Sequence, residues 1–227
     1  MTEARAVLFD LDGTLTDSRP GILRSTRYAL QRLNEANGET RPIPEESALG
    51  FMIGPPLRES FAKLAGADRV EAMLAFYRER YVSIGMFENA VYEGVPEALQ
   101  ALHDSGNRLF VATSKNEDDA HTVLDHYKLA KFFAGIYGAQ ADGGRAVKSD
   151  LIGYLLAREN IAANPTEVAM IGDRKYDVLG AKAVGVSALG ALWGYGGAEE
   201  LTEAGADALL EAPRSIPQAV REVLGGR

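Results

Sequence analysis

The chain contains no cysteine, which excludes disulfides, thiolate zinc sites and thiol nucleophiles. Histidine is scarce. His103, His121 and His126 fall on predicted helices without ligand spacing and read as surface or packing residues. No apolar run reaches the roughly 20 residues that span a bilayer, and Met1 to Arg5 lacks a signal-peptide pattern. Positive charge is in deficit: 24 Lys and Arg against 32 Asp and Glu give a net charge of −8. That balance argues against a general nucleic-acid or acidic-membrane surface, while leaving room for a local basic pocket. Internal repeats and low-complexity tracts are missing too. What is there is an ordinary globular composition over 227 residues, 46% hydrophobic and 25% charged, long enough for one domain or two small ones. The expectation is a cytoplasmic monomer or homodimer with neither nucleic-acid nor membrane partners.

Periodicity divides the chain. Residues 5–11 (RAVLFDL) read as a short buried strand, and a helix is expected to open near Ser18 and Pro20. From there to about Gly85 the pattern is helical, punctuated by Pro42, Pro44, Gly54, Pro55 and Pro56. Beyond Gly94 apolar strands at 108–114, 132–138, 167–173, 186–192 and 207–212 alternate with helices near 95–105, 117–127, 148–160, 175–184 and 215–224. Alternation of this kind implies a Rossmann-like parallel sheet with helices on both faces. The helical block interrupts it after the first strand. The expected organisation is an α/β core of residues 1–15 and 91–227 with an inserted all-helical cap at 16–90. Hinges are expected near Thr16 to Arg19 and Tyr92 to Gly94.

In a parallel sheet, ligands collect beyond the carboxyl ends of the strands. The first strand ends in AVLFDLDGTLTDS, with Asp10 and Asp12 two apart. The second ends at Thr113-Ser114-Lys115, a later one at Gly172-Asp173, and Lys148 opens the helix before that strand. Asp10, Asp12 and Asp173, without histidine or cysteine, suit a hard cation such as Mg2+. A carboxylate beside such an ion can attack phosphorus, and a second can protonate the leaving oxygen and then deprotonate water. Lys148 and Thr113 supply a cation and a donor to the phosphoryl oxygens. Asp173 and Asp177, at i and i+4 on a helix start, also complement the helix dipole.

These motifs, Asp10-Leu11-Asp12-Gly13-Thr14, Thr113-Ser114, Lys148 and Gly172 through Asp177, resemble the four ordered motifs of haloacid dehalogenase superfamily phosphatases. The local matches GDRKYDVLGAKAVGV and LWGYG resemble the phosphoglycolate phosphatase-like branch, and the helical insert resembles that superfamily's cap. The resemblance implies Asp10 as nucleophile and metal ligand. It implies Asp12 as acid/base and as a metal ligand through its backbone carbonyl. It further implies phosphate binding by Thr113, Ser114 and Lys148, a metal site completed by Asp173, and Asp177 behind that site. One departure is that the second motif reads Thr-Ser-Lys where relatives often carry Thr-Asn-Lys.

The implied activity is hydrolysis of a small phosphorylated metabolite through an aspartyl-phosphate, with Mg2+ as cofactor. A 5'-nucleotidase, a sugar-phosphate mutase, a phosphonate hydrolase, a dehalogenase and a catalytically silent phosphate-binding module remain as alternatives. A phosphonate hydrolase needs a Schiff-base lysine in the cap, where Lys63 is the one lysine between residues 16 and 90. GGRAVKS ends like a P-loop, but Val147 stands where that loop needs glycine. For substrate selection the candidate is the segment at 50–61, with Arg58 able to pair bidentately with an anion or to remain a solvated helix arginine.

Overall fold

The computed structural model describes residues 5–140, 144–161 and 167–225. Met1 to Ala4 of the N-terminal reading and Gly143 of GGRAVKS lie outside the described residues. The chain forms two compact units, Met1–Asp17 with Val91–Arg227, and Ser18–Ala90.

The first unit begins with β1 (Ala6–Phe9) and β2 (Thr16–Asp17) and resumes at β3 (Ala90–Val91), whose first residue closes the other unit. It then alternates α4 (Val95–Asp104), β4 (Arg108–Asn116), α5 (Glu117–His126), β5 (Gly135–Ala139), α6 (Lys148–Arg158) and β6 (Val168–Gly172). It ends with α7 (Lys175–Ala183), β7 (Ser187–Ala191), α8 (Ala198–Glu203), β8 (Ala208–Leu210) and α9 (Ile216–Gly225). Six strands pair in parallel in the order β5-β4-β1-β6-β7-β8. β1 is central because all four of its residues are apolar and buried, as a strand covered on both faces requires. Ala6 and Leu8 face a core with Leu151, Leu155, Val178 and Ala181 of α6 and α7, and Val7 and Phe9 turn the other way, where α4 packs on α9. From β1 the strand order grows outward through β4 and β5, then restarts on the opposite side with β6. The reversal leaves a crevice beyond the carboxyl ends of β1, β4 and β6.

Several details differ from the sequence reading, among them the paired short strands β2 and β3, which it did not anticipate. β1 stops at Phe9, because the chain turns at Asp10 to Thr14. β5 starts at Gly135, since Ala130–Phe132 forms a 3-10 turn that buries Phe132. α8 was not anticipated; its six residues, AEELTE, are too short for a helical period to show.

The second unit holds α1 (Arg19–Asn37), α2 (Leu57–Ala65) and α3 (Val70–Tyr81). Pro20 sits in the first turn of α1 and Ser18 at its N-cap, though the serine makes no side-chain cap hydrogen bond. α1 packs on α3 around Leu33, Met73 and Tyr77. Gly21 permits close approach of the 3-10 turn Gly85–Phe87 to α1, because a Cβ would overlap the Gly85 carbonyl. Tyr77 stacks on Tyr81 at 5.0 Å and meets Phe61 edge-on at 5.6 Å.

Candidate active site

The chain leaves β1 still paired to the sheet, with the Asp10 N–H donating to the Ile171 carbonyl at 2.9 Å. It then folds back sharply. Gly13 has φ +88°, and the Gly13 N–H donates to the Thr16 carbonyl at 2.7 Å while Leu15 and Thr16 donate to Leu11. A side chain at Gly13 would be strained and would overlap the Asp173 carboxylate.

Three carboxylates and a lysine converge at the crevice. Oxygens of Asp10, Asp173 and Asp177 lie within 4.8 Å of one another. Lys148, the first residue of α6, is buried; its Nζ donates to the Ala112 carbonyl at 2.9 Å and stands 3.3 Å from Asp10 Oδ1 and 2.7 Å from Asp177 Oδ1. Gly180 of α7 makes room for the lysine stem, which a Cβ would overlap. Thr113, at the end of β4, donates its hydroxyl to Asp10. Asp173 accepts from the Thr14 hydroxyl at 3.2 Å and from the Tyr195 N–H at 2.8 Å, one donor on each carboxylate oxygen. Asp177 Oδ2 accepts the Arg174 N–H at 3.1 Å and so closes the first turn of α7. Helix capping and the site are served by one residue.

Charge in this crevice is unbalanced. Burial pushes Asp10 up to about 6, with Lys148 opposing and Asp177 reinforcing the rise. Burial pushes Asp173 up to about 8, and Asp177 and Asp10 add to it. Lys148 is held above its ordinary range because the two carboxylates beside it outweigh its burial. Two buried acids and one half-buried acid against one lysine is a donor set that a hard divalent cation would neutralise, all oxygen and without soft ligands. The residues fit such an ion.

The sequence profile of the haloacid dehalogenase-like hydrolases matches residues 7–191. The chain belongs to the haloacid dehalogenase-like hydrolase family. This hydrolase is 43% identical over 197 residues to a 5'-nucleotidase of Pseudomonas aeruginosa, covering 86% of each chain. It is 35% identical over 219 residues to tyrosine-protein kinase PtkA of Mycobacterium tuberculosis, covering 96% of this chain and 72% of the relative. Among solved structures, a predicted phosphatase from Clostridium acetobutylicum superposes with a TM-score of 0.87 at 37% identity, covering 96% of this chain and 99% of that one. The family read from the four motifs is the family found.

In this haloacid dehalogenase-like hydrolase the Asp12 carboxylate stands outside the three-acid cluster. Its Oδ2 accepts from Lys115 Nζ at 2.8 Å, and its Oδ1 is buried without a hydrogen-bond partner. Asp177, which the sequence reading set behind the metal site, stands among the clustered acids, whereas for Asp12 that reading gave a metal role through the backbone carbonyl. Lys115 was quoted with its motif but given no role, because its partner Asp12 stands far away along the chain. Ser114 lies between them and is exposed. In the second unit Arg58 is exposed and engages Glu71 of α3 with both terminal guanidinium nitrogens, Nη1 and Nη2, and Lys63 is exposed on α2. Thr14 and Tyr195 were quoted within their motifs but given no role, because one contributes a common hydroxyl and the other a backbone N–H.

Proposed function

We propose that this hydrolase releases phosphate from a small phosphorylated metabolite through an aspartyl-phosphate on Asp10. The observation that carries the reading is Lys148 seated between Asp10 and Asp177, with Asp173 beside them at the carboxyl ends of β1 and β6. Asp10, Asp173 and the Asp12 backbone carbonyl would hold Mg2+, with Asp177 adding charge from α7. When bound, the ion would draw charge from the phosphoryl oxygens and ease approach of an anionic substrate.

The chain's own residues do the rest. The Asp10 carboxylate attacks phosphorus, forming the acyl-phosphate bond as the ester oxygen departs. Lys148 and the Thr113 hydroxyl offset charge on the transferring group, and the exposed Ser114 stands at the same strand end as a further donor to phosphate. Asp12 gives its proton to the departing oxygen and takes one from the water that cleaves the acyl phosphate. Lys115 holds the Asp12 carboxylate in place between turnovers. A hydroxyl replacing water in the second half would make the same chemistry a phosphoryl transfer, which accommodates a kinase among the relatives.

The test is phosphate release from a panel of 5'-nucleotides, sugar phosphates, phosphoglycolate and pyrophosphate, with Mg2+ and with chelator. Turnover requiring the metal, and lost in a folded Asp10→Asn protein because an amide is a poor nucleophile, supports the reading. Wild-type turnover in Asp10→Asn would remove the covalent mechanism.

A further inference from the structure

The loop after β7 reads Trp193-Gly194-Tyr195-Gly196 and lies against the catalytic turn at several points. The Trp193 indole N–H donates to the Thr14 carbonyl at 3.0 Å, and the Gly196 N–H donates to the Asp173 carbonyl at 3.1 Å. Gly194 has no room for a side chain, because a Cβ would overlap both Asp173 and the Gly13 carbonyl. Tyr195 reaches in two directions. Its backbone N–H donates to Asp173 Oδ2 at 2.8 Å, and its phenol donates to Asp17 Oδ1 at 2.9 Å.

These contacts close a ring. Asp173 is gripped on one oxygen by the Thr14 hydroxyl and on the other by the Tyr195 N–H. Tyr195 is anchored to Asp17, and Asp17 is joined to Thr14 through the short strand β2. The returning chain adds one fastening, with the Tyr92 N–H donating to the Leu15 carbonyl at 3.1 Å. β2 is therefore connected to both donors that orient the Asp173 carboxylate, through the chain to Thr14 and through Asp17 to Tyr195. β2 is also where the chain leaves for the inserted unit, which begins at Ser18.

We infer that Tyr195 is a positioning residue that ties the orientation of the Asp173 carboxylate to strand β2, so that cation binding at Asp173 and the setting of β2 are reciprocally coupled. The inference rests on the reading that Asp10 and Asp173 hold a divalent cation. Outer partners that orient a ligating carboxylate commonly tune metal affinity severalfold or more. Linkage then requires the reverse: a bound cation must hold β2 by the same factor. Tyr195→Phe removes the phenol anchor and keeps the backbone donor, which makes it the informative substitution. Asp17→Asn weakens the same bond from the other end and serves as a second probe.

The measurement is Mg2+ affinity by titration calorimetry on the full chain, for wild type, each single variant and the double variant. Hydrogen exchange of the amides of residues 14–17 is followed with and without Mg2+. We expect Tyr195→Phe to weaken Mg2+ binding by about threefold to tenfold, the scale of one hydrogen bond. The double variant should bind within about twofold of the weaker single variant, because both substitutions break one link. Mg2+ should slow exchange at residues 15–17 in the wild type and do so less in Tyr195→Phe. Unchanged Mg2+ affinity in both folded single variants, or additive losses in the double, would overturn the coupling while leaving the catalytic reading intact. A wild-type protein that binds no Mg2+ would overturn both.

Discussion

At the scale of single residues, the two aspartates of the first motif have separate surroundings despite standing two apart. Asp10 is half-buried beside Lys148, Thr113 and Asp177, whereas Asp12 meets Lys115 and keeps one oxygen buried without a partner. That division suits one group that stays bonded through a covalent intermediate and another that exchanges protons. Asp12→Ala should lower kcat by about 10²–10⁴, the usual worth of a positioned acid/base. A slow second half-reaction should also let phosphate remain on the protein, which rapid quench and intact mass would detect. A loss under about tenfold would contradict the proton-transfer role. These two aspartates could be read in the sequence because their spacing and their place behind an apolar strand are patterns in one short stretch. Lys115 and Tyr195 could not, since their partners Asp12 and Asp17 stand far away along the chain.

At the scale of elements, α6 and α7 place the lysine. Lys148 leaves the first turn of α6 and passes α7 where Gly180 offers no side chain, and Gly172 similarly leaves space for Asp177. Gly180→Ala should force Lys148 off its position or part the two helices. Overfilling of this kind costs about 1–3 kcal/mol, and activity should fall at least about tenfold because a charge at the phosphoryl group moves. Thermal melts and kcat on p-nitrophenyl phosphate measure both; unchanged values would show that α7 does not set the lysine. In the inserted unit, Arg58→Ala should leave stability almost unchanged, since its pair with Glu71 is solvent-exposed. An altered ranking among phosphomonoesters in that variant would show the guanidinium exchanging Glu71 for substrate, and proportional losses on every substrate would refute it. Strand periodicity made the core sheet legible, and β4, β6 and β7 fall where alternation with helices puts them. Legibility failed where elements are short, as at α8, or where function rests on backbone. Thr113 and Ser114 are neighbours in the motif, yet one is buried and the other exposed, which the motif alone does not state.

At the scale of the whole molecule, the acid cluster ties stability to pH and to metal. Asp173 at about 8 and Asp10 at about 6 are raised above the ~3.9 of an unfolded aspartate. The folded, metal-free chain therefore keeps protons that the unfolded chain has released, and its stability must fall as pH rises from about 4 through about 8. Glu39, Glu71, Glu79, Glu88 and Glu200 have the opposite sign, Glu79 being lowered first by the Tyr28 hydroxyl and then by Arg32, and the others by arginine partners. Their gain is nearly complete once pH passes the ~4.3 of a free glutamate, so it does not offset the loss above about pH 5.5. Lys148 is raised, and its contribution is full throughout this window because the window lies below the ordinary lysine range. A divalent ion would replace the retained protons, so its affinity should climb with pH and stabilise only the folded state. The expected result is a Tm of chelator-treated protein that drops between about pH 5.5 and about pH 8, and a Mg2+-induced rise in Tm that grows over the same interval. Asp173→Asn should flatten both trends, since the amide neither titrates nor adds charge for the ion. Differential scanning calorimetry at fixed ionic strength decides the matter: a metal-free Tm that climbs with pH, or a Mg2+ effect equal at both ends, would show that the clustered acids are already balanced without a cation.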